Sequence, residues 1–107
     1  IERSKKPIKT YVMYHTSYSE IKLLIEFLKN NFNQINIIKV IPISMVQDIQ
    51  LDEVELLITT KQLKQMPGCP SIVLPTVLLS GDIMAFTKYI RELYEECNKK
   101  KLKKYHN

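Results

Sequence analysis

Few side chains in this 107-residue chain could do chemistry, and they fall in two short stretches. The first is Met13-Tyr14-His15-Thr16-Ser17-Tyr18-Ser19, which follows an apolar run and opens a helical pattern. His15 is its one imidazole, the side-chain type that could accept a phosphoryl group or make a pH-responsive contact. No acidic neighbour in the sequence fixes its tautomer, and the plainer reading is an exposed loop histidine. Ser17 and Ser19 could serve as nucleophiles or phosphate ligands. Neither stands in a Gly-x-Ser-x-Gly elbow, and helix capping accounts for Ser17. The second stretch is the turn around Gly68-Cys69-Pro70, where Cys69 could cross-link or be modified, although a plain turn cysteine is the simpler reading. Cys97 lies on the apolar stripe of the last helix, where a free cysteine behaves as a small hydrophobe.

What the first stretch lacks is as informative as what it holds. The start of a helix favours an anion, because its free N–H groups and dipole point outward. A phosphate cradle needs glycines so that the backbone can approach closely, and this loop has none. A thiol there would be acidified by the helix end, but no cysteine is present. A phospho-accepting receiver would need an acid at the end of the first or third strand, where Tyr14 and Thr59-Thr60 stand instead. Two cysteines make no disulfide framework, and no CxxC or Cys/His cluster offers a metal site. The expectation is no metal and no cofactor.

The elements that must position these residues are legible from periodicity. Lys9 to Tyr14 is apolar, β-branched and aromatic, and predicts a buried first strand. Ser17 and Glu20 have capping-box spacing, and Ile21, Leu24, Ile25, Leu28 and Phe32 then form one 3.6-residue stripe, closed by Asn30, Asn31 and Asn33. Ile35 to Ile43 predicts a second strand limited by Pro42, and Ser44 to Gln50 a short helix or turn. Val54 to Thr59 predicts a third strand, buried on both faces. A further helical turn over Lys61 to Gln65 is an option. Ser71 to Leu74 predicts a fourth strand, stopped by Pro75. Ser80 offers an N-cap for a last helix carrying Ile83, Phe86, Ile90, Leu93, Tyr94 and Cys97 on one face and fraying into a lysine run. Tyr14, Tyr18, Phe86 and Tyr89 could form a partner-facing aromatic patch, but packing explains most of them more simply.

Strands alternating with helical segments imply an α/β domain: a small doubly wound fold with a four-stranded parallel sheet flanked by helices. Ligands and chemistry in such folds sit at the carboxyl ends of the strands, near the point where strand order reverses. Composition agrees with one globular domain, at 45% hydrophobic and 25% charged residues. No apolar run reaches the roughly 20 residues of a membrane span, so no membrane contact is expected. The formal net charge is +5. Lys99, Lys100, Lys101, Lys103 and Lys104 account for it, and the remainder balances at 11 basic against 11 acidic residues (16 less the five lysines, against 11). A terminal charge run reads as a solvated tail, so direct nucleic-acid contact is not expected. The start at Ile1, without an initiator Met, suggests a piece of a longer protein, and the cysteine usage a cytoplasmic setting.

The layout resembles the EIIB-like domain of the sugar phosphotransferase system (PTS), in the version found at the C-terminus of multidomain regulators that carry PTS-regulation domains. Tyr11 to Ile21 stands where that family has its first strand, reactive loop and first helix. Val54-Glu55-Leu56-Leu57-Ile58-Thr59-Thr60 is similar to the family's third strand, of the form D-L-I-I-S-T. Pro70 to Ile83 is similar to its fourth, of the form P-V-I-V-V-x-P-L-L-x-x-x-D-I. The phosphorylated cysteine of the family falls at Met13 or Tyr14, and neither can form a thiophosphate. Met13, Tyr14, His15, Thr16 and Ser17 are thus degenerate phosphoryl-loop positions. Such loss resembles the virulence regulators of the Mga and AtxA type. The resemblance implies a linker over residues 1–8, an EIIB-like domain over 9–98 and a basic tail over 99–107. It implies a non-enzymatic regulatory and homodimerisation role, with the parent's other domains, and PTS proteins, as further partners. The alternative is an active phosphocarrier that uses His15 or Cys69.

Overall fold

The computed structural model describes residues 5–48, 53–64 and 68–105. Four strands form one sheet: β1 (Ile8–Tyr14), β2 (Ile35–Pro42), β3 (Leu56–Thr59) and β4 (Ser71–Val73). Two α-helices accompany them, α1 (Tyr18–Asn31) and α2 (Ser80–Tyr105), with a 3₁₀ segment (Ile43–Asp48) after β2. The strand order is β2-β1-β3-β4, and every neighbouring pair is parallel. This is the expected α/β architecture. Order reverses at β1, because the chain leaves it for β2 on one side and later returns to β3 on the other.

β1 is central and reads as a continuous hydrophobic run because both its faces are covered. Ile8, Val12 and Met13 are fully buried, and Tyr11 nearly so. Alternation along the strand divides its side chains between two clusters. Ile8 and Val12 join Leu56 and Ile58 beneath Ile21, Leu24, Ile25 and Leu28 of α1 and Phe86, Ile90 and Leu93 of α2. The rings of Phe32 and Phe86 meet edge to face, with centroids 4.9 Å apart, where the end of α1 crosses α2. Tyr11 and Met13 point the other way, into a smaller cluster with Val54 and Leu57. That second face is closed by Ile43 of the 3₁₀ segment and by Leu63 and Cys69 from loops, whereas both α-helices lie over the first face.

A bulge in β2 makes this division possible. Thr10 pairs with Ile37 and Tyr11 with Lys39, so Ile38 is an extra residue between them. Without it the alternation begun at Ile35 and Ile37 would turn Val40 to the smaller cluster and Ile41 to the larger. With it Val40 rejoins the larger cluster and Ile41 the smaller one. Ile38 itself is left 42% exposed.

Several boundaries depart from expectation. β1 begins at Ile8, inside the stretch read as linker. Val54 is buried but precedes the strand, which starts at Leu56. Lys61 to Lys64 do not form a helical turn, and Gln65 lies outside the described residues, as does Gln50. The cap of α2 is Leu79: its N–H donates to the Asp82 carboxylate at 3.0 Å, and its carbonyl accepts from Ile83 N–H. Ser80 is therefore the first helical residue. The lysine run does not fray; α2 stays helical to Tyr105. Lysine is a good helix former, and cations favour the helix C-terminus.

Asn98, which the periodicity does not single out, is buried at 5% exposure and ties the chain start to α2. Its side-chain oxygen accepts the Lys6 N–H at 2.9 Å, and its amide donates to the Lys6 carbonyl at 3.2 Å and the Tyr94 carbonyl at 2.8 Å. Lys5 adds an ion pair to Glu95 and lies over the Tyr94 ring. Replacing Asn98 with Ala leaves partly buried backbone groups of Lys6 unmatched. Asn98→Ala should lower unfolding free energy by about 1–3 kcal/mol, read as a reduced urea midpoint with unchanged slope.

Candidate functional site

The carboxyl ends of β1 and β3 lie side by side, because the register pairs Met13 with Thr59. Thr60 then stands opposite the loop that leaves β1. Its N–H donates to the Met13 carbonyl at 3.1 Å, and its Oγ1 accepts the His15 backbone N–H at 3.0 Å. The same hydroxyl is 2.6 Å from His15 Nδ1. The hydroxyl has one proton to give, and Nδ1 is the acceptor within reach. In the neutral ring, this arrangement suits the tautomer with the proton on Nε2. Thr59, also buried, turns its hydroxyl to the Lys61 carbonyl at 2.8 Å. Thr60 thus holds the end of β3 to the loop after β1 without a charge, while Thr59 braces its own turn.

Sequence spacing finds His15 but misses its partner, since Thr60 lies 45 residues away. The signal was present in another form: a parallel β3 beside β1 must deliver the residue after its last rung to the mouth of the first loop. His15 is exposed while Thr60 is 8% exposed, so the imidazole rests on a buried anchor with its body towards solvent.

The other candidates separate. Met13 is fully buried in the smaller cluster, and Tyr14 packs, half-buried, against the larger one. Neither offers a reactive group to the loop. Thr16 is half-buried and Ser17 exposed. Ser17 caps α1 as expected, with Oγ accepting the Glu20 N–H at 3.3 Å and touching Ser19 Oγ at 3.2 Å. Among the proposed patch aromatics, Phe86 is core and Tyr89 packs partly buried against the larger cluster, while Tyr18 is 69% exposed. They do not form one surface.

Cys69 and Cys97 are both half-buried. Cys69 packs on the smaller cluster, and burial pushes its thiol up from the ordinary value. Cys97 packs against the larger cluster, as its stripe position implied. The Tyr89 phenol is pushed up chiefly by burial, and further by Cys69, Cys97 and Glu96 nearby. Among the described residues, no three His, Cys, Asp or Glu side chains gather to hold a metal, and no helix is long and apolar enough to cross a membrane. No protein family, curated protein or solved structure matches the chain.

Two measurements check this geometry. Thr60→Val should release the imidazole, so that the His15 ring nitrogens, which give the ¹⁵N signature of an Nε2–H tautomer when neutral, shift towards averaged values. Because its raised pKa leaves less thiolate at any given pH, Cys69 should alkylate more slowly in the native chain at pH 8 than after unfolding in urea.

Proposed function

We propose that this chain is a non-catalytic regulatory and homodimerisation domain, EIIB-like in form, of a cytoplasmic, PTS-linked transcriptional regulator of the virulence type. The observation that carries the reading is the state of the switch-point loop. Where a phosphoryl-carrying relative would present its thiol, Met13 is buried under the sheet and Tyr14 is half-buried against the core. His15 is bound to Thr60, and Ser17 is committed to capping. The loop keeps the position of a reactive site and has its side chains engaged in structure. A four-stranded, all-parallel sheet is also what the resemblance implies.

In this reading DNA is bound by other domains of the parent, and this domain contributes self-association and contacts to those domains or to PTS proteins. Sedimentation velocity across micromolar concentrations should give a dimer; a monomer throughout would remove the self-association role.

One observation favours a second reading, a phosphocarrier acting through His15. A hydrogen bond at Nδ1 is what orients an imidazole so that Nε2 can meet an incoming phosphoryl group, and Thr60 supplies a partner there. For Nε2 to attack, the proton must move to Nδ1 and be donated to Thr60 Oγ1. Cys69 is the weaker acceptor, since burial holds its thiol protonated. Incubation with phosphoenolpyruvate and the general PTS proteins decides between the readings. The non-catalytic reading expects no label; an acid-labile label lost in His15→Gln would establish the carrier.

A further inference from the structure

The sheet has two outer edges, and the β2 edge is the more heavily guarded. On β2 the Ile38 bulge breaks the ladder, Lys39 is exposed, and Pro42 lacks an N–H. Bulges, lysines and prolines are the usual devices against edge-to-edge pairing. β4 is short, at three residues, and Pro70 and Pro75 bracket it, but none of these devices lies within its span. Its inward bonds run from Leu57 N–H to the Pro70 carbonyl and from Leu74 N–H to the Thr59 carbonyl. Alternation then turns the N–H and C=O of Ser71 and Val73 to the open side. Val73 is 44% exposed, and the chain that follows exposes Val77, Leu79 and Met84 on its way into α2.

Charge identifies what can cover this edge. No Lys, Arg, His, Asp or Glu occurs between Lys64 and Asp82, although a quarter of the chain is charged and its net charge is +5. The excess positive charge sits in the tail lysines, and charged side chains of both signs cover the rest of the chain. In a two-fold interface each patch meets itself, so like charges would face like charges. The neutral segment is where a second copy can approach without that cost, whereas an acidic partner would find no cation on it to pair with.

We infer that the β4 edge is the homodimer interface, with two copies of β4 pairing antiparallel about a two-fold axis into one eight-stranded sheet. This rests on the self-association reading above and locates its surface. The axis passes between the two copies of Ile72. Ser71 of each copy then exchanges both backbone hydrogen bonds with Val73 of the other, and Val77, Leu79 and Met84 flank the seam.

The test uses the full chain in sedimentation velocity, with folding checked by circular dichroism. Val73→Lys and Leu79→Glu should each weaken the dimer at least about tenfold, as an edge charge opposes pairing. Leu23→Glu, at an equally exposed site on α1, should leave it unchanged. Amide exchange of Ser71 and Val73 should slow as concentration rises through the dimerisation range. A dimer indifferent to both edge variants, or dissociated by Leu23→Glu instead, overturns the β4 interface while leaving self-association standing. A wild-type monomer at all concentrations overturns both, and rapid exchange of Ser71 and Val73 in a proven dimer overturns the edge pairing alone.

Discussion

The fold depends on one constraint: β1 must be satisfied on both edges and both faces at once. Its backbone pairs with β2 along its whole length and with β3 over Thr10 to Met13. Its side chains alternate between two apolar clusters, which it shares with the fully buried β3. A strand in that position cannot slip by a residue without emptying one cluster into the other. The same pairing sets the site. By fixing Met13 against Thr59, it brings Thr60 to His15, and the loop after β1 inherits its shape from a residue on another strand.

The helices are subordinate to that sheet. α1 contributes a narrow stripe ending at Phe32, and α2 meets it through Phe86, so that the two helices close one face together. The opposite face is thinner. It relies on Ile43, Leu63 and Cys69 from a 3₁₀ segment and loops around four buried residues. That difference gives Cys69 its character: it is a packing group under a light cover, which raises its pKa and dulls its nucleophilicity.

Much of this was legible from the residue pattern, and the failures are physical ones. Strand and helix cores were readable because Ile21, Leu24, Ile25 and Leu28, or Leu56 to Ile58, carry a period that only one structure uses. The Ile38 bulge was not, because Ile35 to Ile43 is apolar throughout and no local signal marks the extra residue. Leu79 as the cap of α2 was hidden by Ser80 beside it, since the bond that fixes the cap comes from Asp82 and involves only the backbone of Leu79. At the candidate site His15 and Ser17 were visible and Thr60 was not. A hydrogen bond between residues 45 apart is a property of strand order, which local spacing does not encode. Asn98 was missed for the same reason, its partners being Lys6 and a turn of its own helix.

The bulge in β2 has a bearing on assembly size. A sheet with two pairable borders can add copies at either side and grow into a fibre. Here the irregularity at Ile38, with Lys39 and Pro42 beyond it, blunts one border, so that association through the other would be self-terminating. A single misplaced residue in a peripheral strand would then decide between a closed pair and an open polymer.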